Sequence, residues 1–263
     1  FLRGEMDIAG PGIRDTLELR RAAELRLRGE VEEARAICET LLERGYLSVD
    51  NRISAHNTLG LIAASSDPER ARRHYRRALS HAQHGNRIRV MGVLHNNLGQ
   101  LHSYINRLDQ AIEHYEEAIT YSKRAANEPL VASATNNLAY IYRLKGDLAK
   151  ANVLCRVALG QRQRLGLERD LAYSYLTKGE VDRDRGNLES AERYTKLALR
   201  IFDKVEEITG QIMAYNALAN IRRHMDQYDE AEAYLDRGIA LAEQINNEPL
   251  LADLLNIYGR EQR

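Results

Sequence analysis

The stretch Asn136-Asn-Leu-Ala-Tyr-Ile-Tyr-Arg-Leu-Lys-Gly146 decides the fold of this 263-residue chain, because its first part recurs along the sequence. The related stretches are Asn57-Thr-Leu-Gly60, Asn96-Asn-Leu-Gly99 and Asn216-Ala-Leu-Ala219. Gly179 holds the equivalent position between Ala139 and Ala219. With Gly179 included, the last residues of successive stretches lie 39 or 40 positions apart. A fixed period of this length predicts a repeat protein, in which each unit buries its apolar face against its neighbours.

Each period contains two helical patterns. Apolar residues from Leu138 to Tyr142 follow a helical spacing, Gly146 interrupts it, and a second helical spacing runs from Leu148 to Ala158. Small residues recur where the two helices of such a hairpin would cross, and they let the backbones approach closely. The sequence therefore predicts a lead-in at residues 1–14 and an array over residues 15–263, with units that begin near residues 15, 53, 92, 132, 172, 212 and 252.

Composition excludes several classes of protein. Lys plus Arg equals Asp plus Glu at 38 each, so no net charge draws nucleic acid or anionic lipid to the chain. No apolar run reaches the roughly 18 residues of a membrane span. The two cysteines, Cys38 and Cys155, fall at core positions and predict reduced thiols in a cytoplasmic protein. The start at Phe1 resembles no secretory signal and lacks an initiator methionine, which predicts a fragment of a longer protein.

The repeat resembles the tetratricopeptide repeat, through Leu-Gly in the first helix, a turn glycine seven residues later, and then Ala-x3-Tyr-x2-Ala. The period of 40 departs from the family's usual 34 and is similar to that of Leu-Gly-Asn adaptors, kinesin light chains and the sensor arrays of bacterial signal-transduction ATPases. This resemblance implies an all-α, right-handed superhelical α-solenoid of about six and a half helical hairpins. It also implies that the first helix of each unit lines a concave groove.

Polar residues recur on the predicted groove face. One position holds an Asn in five units, and in related adaptors and kinesin light chains the corresponding Asn holds a peptide backbone. Seven residues later, on the same helical face, three units carry an Arg that can bind carboxylates through its forked donors. The candidate peptide-binding residues are Asn57, Asn96, Gln100, Asn136, Tyr140, Arg143, Arg183, Asn216, Asn220, Arg223 and Asn256. The competing interpretation is that these Asn side chains only satisfy neighbouring helices and that the arginines are solvated.

Other sites are less well supported by the sequence. The basic stretch from Arg70 to Arg77 lies on a second helix, where opposite charges one period away favour ion pairs between repeats over a phosphate track. His81 and His84 lack a third metal ligand, so we expect an exposed helix end. No motif predicts catalysis, a cofactor or a metal.

We therefore predict a non-catalytic module, the scaffold or sensor part of a larger regulatory protein, that binds an extended or short helical peptide of acidic character. The alternative is a nucleic-acid-binding array that contacts phosphates through the concave Arg row. Residues 250–263 carry a broad apolar stripe and stop before a partner helix, which predicts self-association through this segment. No membrane partner is predicted.

Overall fold

The computed structural model describes residues 11–245, 251–252 and 254–255. This part of the chain forms helices joined by short turns and contains no strand. The helices are α1 Pro11–Leu27, α2 Val31–Glu43, α3 Val49–Ala63, α4 Pro68–His84, α5 Ile88–Tyr104, α6 Leu108–Arg124, α7 Glu128–Leu144, α8 Leu148–Leu165, α9 Glu168–Asp184, α10 Leu188–Lys204, α11 Ile208–Arg223 and α12 Tyr228–Gln244. The prediction of an all-α repeat fold is confirmed.

The chain divides into two compact units, residues 1–134 and residues 135–263. In the first unit, α1 pairs with α2, α3 with α4 and α5 with α6; in the second unit, α9 pairs with α10 and α11 with α12. Helices with odd numbers are the first helices of the repeats. From α3 to α11, each begins four residues before the predicted start of its unit. The reason is that most residues of the added turn are exposed or half-buried, so the apolar pattern does not include them.

The turns are as regular as the helices. From α4 to α11, a residue with positive φ follows each helix at intervals of 20, which gives these eight helix ends the same left-handed turn. Glycine fills three of these positions, Gly146, Gly166 and Gly186, because it adopts positive φ without steric cost. Ala126 and Glu206 occupy equivalent positions, and the requirement for an identical turn therefore overrides the local preference of these residues.

The two helices of a hairpin meet at the small residue of the first helix. A Cβ atom added to Gly60 would lie 2.5 Å from the Tyr75 ring, and one added to Gly99 would lie 2.7 Å from the Tyr115 ring. Distances this short do not occur between real side chains, so a larger residue here would force the helices apart. The predicted role of small residues at the crossing is confirmed.

The fifth repeat keeps the same crossing with different side chains. Gly179 faces Thr195, which takes the place of the tyrosine and is fully buried. The Thr195 hydroxyl donates to the Ala191 carbonyl at 2.9 Å, so its polar atom is satisfied inside the hairpin. Tyr194, one residue earlier, stacks on Tyr175 at 5.8 Å between ring centres. This repeat therefore departs from the pattern in sequence without departing from the hairpin geometry.

Both cysteines are buried in hairpin cores. Cys155 occupies the position of Tyr75 and Tyr115 in its repeat, and it packs with Ala139, Ala151 and Val181. Burial raises the pKa of Cys38 and of Cys155 to about 12, so both thiols stay protonated at physiological pH. The predicted burial is confirmed.

Histidines pack in matched pairs in the first unit. The Nδ1 atom of His56 on α3 lies 3.1 Å from the Nδ1 atom of His74 on α4, and His95 and His114 repeat this contact one period later at the same distance. His81 stacks on His56. A pair at this distance needs one protonated and one bare Nδ1, which two neutral imidazoles provide. Each pair is thus a packing contact between the two helices of one hairpin.

Burial and, as a smaller contribution, the paired histidine together lower the pKa of His56 and of His95 to about 4. Around His56, His81, Arg77 and Arg52 act in the same direction as His74. The pKa of His102, whose ring stacks on His114, is also lowered to about 4, mainly by burial. The second unit holds one histidine, His224, and this residue is exposed.

The segment predicted to self-associate, residues 250–263, lies mostly outside the described residues. Of its described members, Leu254 is fully buried and packs with Ala231, Leu235 and Ala242. Leu255 is exposed. The expectation that Leu254 belongs to an exposed stripe is therefore wrong, since the preceding hairpin covers it. None of the described helices is long and apolar enough to span a membrane.

Replacing Gly99 by Ala should lower the free energy of unfolding by about 1–3 kcal/mol, because the new methyl group would collide with the Tyr115 ring. Gly160→Ala on α8 is the matched control. Gly160 lies in mid-helix with nothing within 4 Å of its added Cβ, so this change should stabilise the protein by up to about 1 kcal/mol. Urea unfolding followed by circular dichroism measures both, and equal effects of the two changes would contradict the assignment of the crossing.

The first unit should lose stability as the pH falls from 6.5 towards 4. In this window the histidines of the unfolded chain bind protons, whereas His56, His95 and His102 of the folded protein stay neutral. The unfolded state therefore binds more protons as the pH falls, and this lowers the free energy of unfolding. Above pH 6.5 the effect vanishes. Hydrogen exchange, read separately over residues 11–134 and 135–245, should show the loss in the first range.

His95→Gln should reduce the pH slope of this stability by up to about 1.4 kcal/mol per pH unit, since one proton-binding group is removed. His224→Gln in the second unit is the control and should leave the slope of the first unit unchanged. An identical acid sensitivity of the His95→Gln variant and the wild type would show that the buried histidines do not cause it.

Candidate functional site

The candidate residues lie on the first helices, and their positions are best given relative to the small crossing residue of each repeat. The predicted Asn row stands three residues before that residue, and the predicted Arg row stands four residues after it. We call the surface formed by the first-helix residues from three before to five after the crossing residue the first-helix strip. The structure shows for several of them which hydrogen bonds and ion pairs their side chains make.

Two members of the Asn row bond to the neighbouring first helix. Asn97 Nδ2 on α5 donates to Asn57 Oδ1 on α3 at 2.9 Å, and Asn136 Nδ2 on α7 donates to Thr177 Oγ1 on α9 at 3.2 Å. In both cases an Asn pairs with the residue that stands two before the crossing in the next repeat. These bonds join adjacent repeats through side chains, whereas the competing interpretation of the sequence expected bonds to helix backbones.

The remaining Asn positions differ from one another. Asn96 is buried, while Asn216 is half-buried and accepts from the Nδ2 atom of Asn220 at 2.9 Å within α11. Asn256 lies outside the described residues. The Oδ1 atom of Asn136 is buried and has no hydrogen-bond partner among the described residues. The Asn row is therefore not a uniform set of exposed amides.

The Arg row forms an ion cluster in the second unit. Arg143 Nη1 donates to Asp184 Oδ2 at 2.9 Å, while Arg183 Nε and Nη2 donate to Asp184 Oδ1 at 2.9 and 2.7 Å. Arg143 Nη2 also lies 3.4 Å from Glu180 Oε2, and its guanidinium stands 4.9 Å from the centre of the Tyr140 ring. We call Tyr140, Arg143, Glu180, Arg183 and Asp184 the arginine cluster.

The arginine cluster is partly shielded from water. The Arg143 side chain is 10% exposed and the Asp184 side chain is 25% exposed. Burial raises the pKa of Asp184, but hydrogen bonds from Arg143 and Arg183 outweigh it, so the net pKa lies below the usual value. Burial raises the pKa of Glu180 by more than Arg143 and Arg183 lower it. The two carboxyl groups thus differ in acidity, and Asp184 is the anion that the two arginines hold.

Of the remaining predicted site residues, Tyr140 belongs to the arginine cluster, whereas Gln100, Asn220 and Arg223 are not part of it. Gln100 and Tyr140 are exposed, one residue after the crossing in successive repeats. Asn220 and Arg223 are half-buried on α11. Arg143 and Arg183 already bind carboxylates of α9, so a ligand carboxylate at this place would have to compete with these partners or share the arginines with them.

Sequence reasoning missed three residues that complete these contacts: Asn97, Thr177 and Asp184. Asn97 and Thr177 follow the Asn row by one position in their repeats, and Asp184 follows Arg183 directly. The repeat spacing could have indicated these residues. A side chain that directly follows a member of the Asn row or the Arg row can reach the same row on a neighbouring helix. The prediction considered each row alone and so did not pair them.

The alternative sites gain little from the structure. The described residues contain no group of three or more His, Cys, Asp or Glu side chains that could hold a metal ion. In the basic stretch, Arg70 bonds to Glu39 at 2.7 Å across neighbouring second helices, which is an ion pair of the predicted kind, although the sequence pattern placed it at Arg76. Arg73, Arg76 and Arg77 are exposed.

Comparison with known proteins places this fold. Residues 93–124 and residues 212–249 each match a tetratricopeptide repeat family. A search of curated proteins gives no match. Among solved structures, NprR in complex with its cognate peptide NprX is 16% identical at a TM-score of 0.79, and the match covers 97% of this chain and 76% of that chain.

Two further structures are similar. A Rap protein complexed with competence and sporulation factor is 15% identical at a TM-score of 0.76, with 94% of this chain and 70% of that chain covered. The second is a signal transduction ATPase with numerous domains from Pyrococcus horikoshii that has a tetratricopeptide repeat sensor. It is 14% identical at a TM-score of 0.73, and the match covers 94% of this chain and 39% of that chain. Identities this low show the fold alone. Together with the two matching segments and the repeated hairpins, they show that this chain is a repeat protein of the tetratricopeptide type.

Proposed function

We propose that this chain is a non-catalytic peptide-binding or sensor module, and that the arginine cluster binds an acidic side chain of the ligand. The assignment as a peptide-binding or sensor module is supported by the similar structures. NprR was solved with its cognate peptide, and the Rap protein was solved with competence and sporulation factor. As in the sequence-based prediction, we place the module in the cytoplasm, consistent with its two protonated thiols.

The observation that carries the proposal is the convergence of Arg143 and Arg183 on one carboxylate. Forked donors from two neighbouring first helices point at Asp184, and this is the arrangement that binds a carboxylate strongly. Asp184 is attached to the end of α9 and a quarter of its side chain is exposed, so a carboxylate of a bound peptide can take its place. In this proposal Asp184 is an internal competitor of the ligand.

Tyr140 adds a second contact. Its exposed ring stacks beside the Arg143 guanidinium and would cover one side of a bound carboxylate, which lowers the local dielectric constant and strengthens the ion pair. A nucleic-acid-binding array has less support, because two of its three arginines are neutralised by carboxylates and the chain has no net charge.

Selection of random 12-residue peptides on the full chain should enrich acidic sequences. Arg143→Ala with Arg183→Ala should weaken the selected peptides by roughly tenfold or more, because charge-assisted hydrogen bonds are lost. Arg156→Ala, an exposed arginine of the second helix α8, is the control and should leave affinity unchanged. Fluorescence anisotropy measures the dissociation constants, and thermal melting verifies that each variant is folded.

Asp184→Asn provides the sharper measurement, since removal of the internal competitor should tighten binding of the same peptides. Weaker binding by the Asp184→Asn variant, or equal binding by the double arginine variant and the wild type, would contradict the proposal. Tight binding of single-stranded nucleic acid that falls steeply with salt would favour the alternative function instead.

We also retain self-association through residues 250–263 as a proposal, which now depends on the exposed Leu255 and not on Leu254. Leu255→Glu should reduce the average mass in sedimentation equilibrium, because a charge cannot be buried between two copies. Ala252→Glu, also at an exposed position of this segment, is the control for the added charge alone. A monomeric wild type at high concentration would overturn this proposal.

A further inference from the structure

The first unit contains a pocket of about 280 Å³ on the first-helix strip. It is lined by Leu61, Ala64, Asn97, Gln100, Leu101 and Tyr104, with the Tyr75 ring of α4 and Ser65 completing the wall. These side chains belong to α3 and the turn that follows it, to the next first helix α5, and to the second helix α4 between them. The Asn97 side chain that bonds to Asn57 forms part of the same wall.

The pocket occupies the same repeat positions as the arginine cluster of the second unit. Four residues after the crossing, the second repeat has Ala64, directly after α3, where α7 and α9 have Arg143 and Arg183. Five residues after it, α5 has Tyr104 where α9 has Asp184. The replacement of charged side chains by small and aromatic ones leaves space between the helices in the first unit, whereas salt bridges fill this space in the second.

Its size suits one side chain. Pockets for drug-sized ligands measure roughly 300–1,000 Å³, and a cavity of roughly 150 Å³ can hold benzene. A pocket of about 280 Å³ that is open to solvent therefore accommodates one bulky side chain and excludes a nucleotide or a larger cofactor.

The lining of the pocket is electrically neutral. None of the eight lining residues is an acid or a base at neutral pH, so a charged side chain would lose hydration here without gaining an ion pair. A bulky apolar side chain would instead gain about 25 cal/mol for each Å² that it buries. The occupant that complements this neutral wall is an apolar side chain such as Leu, Met or Phe.

The rim supplies groups for the main chain on either side of that residue. Gln100 is exposed and carries both a donor and an acceptor on its amide. Tyr104 is 65% exposed, and its hydroxyl reaches the Ser65 carbonyl only at 3.4 Å. A ring held by one long hydrogen bond is free to move over an inserted side chain at little cost.

We propose that this pocket binds one bulky apolar side chain of a peptide ligand and so requires an apolar anchor in that ligand. The proposal rests on the proposed function, and it adds a sequence requirement distinct from the acidic one. Specificity in this chain then comes from the same repeat positions in both units, one set neutral and one set charged.

Ala64→Phe tests the pocket, because the new ring would occupy it. Ala149→Phe, at an exposed position of α8, is the matched control for the added apolar surface. Random 12-residue peptides selected on the full chain should share one position enriched in Leu, Met or Phe. Their affinity should fall at least tenfold with Ala64→Phe and remain unchanged with Ala149→Phe. Enrichment of no apolar position, or equal affinity for both variants, would overturn the proposal.

A probe that is not a peptide separates this proposal from the proposed function. Indole at millimolar concentration should shift the methyl resonances of Leu61 and Leu101 in a saturable manner in the wild type and in Ala149→Phe, but not in Ala64→Phe. If no peptide is enriched, the proposed function fails, and saturable indole binding still supports an apolar side-chain site. Absence of saturable shifts in the folded wild type would overturn the pocket assignment whatever the peptides do.

Discussion

Close approach of two helix backbones in each hairpin is the contact on which the rest of the structure depends. It requires a residue without a bulky side chain in the first helix and a partner shaped to meet it, as Gly99 and Tyr115 illustrate. Dispersion contacts at this distance are individually weak but numerous, and where a glycine faces a tyrosine, as at Gly60 and Gly99, they leave no room for an added methyl group. Once the crossing is fixed, residues at the same repeat position face the same direction, which allows a row in the sequence to become a surface.

Several polar side chains on that surface bond to other residues of the protein itself. A buried amide that lacks a hydrogen bond costs free energy, and therefore Asn57 and Asn136 bond to the next repeat. The same reasoning applies to Arg143, which is nearly buried and would be costly without Asp184 and Glu180. A ligand for this surface must therefore displace an internal partner or use groups that remain exposed.

The two units use one set of positions for different chemistry. Charged residues at the positions after the crossing form salt bridges in the second unit, and neutral residues at those positions leave a pocket in the first. Ala64 also packs against the apolar core that contains Tyr75, so this position contributes to packing as well as to the pocket.

The sequence by itself determined the helical hairpin, the period, the small crossing residues and the buried cysteines. Each of these depends on a spacing within one repeat, and local periodicity encodes such spacings directly. Only the tertiary structure decided that Asp184 holds Arg143 and Arg183, that Asn97 and Thr177 complete the Asn row, and that Leu254 is buried. These contacts join different helices, and their existence depends on side-chain direction and reach, to within an ångström, which residue spacing does not specify.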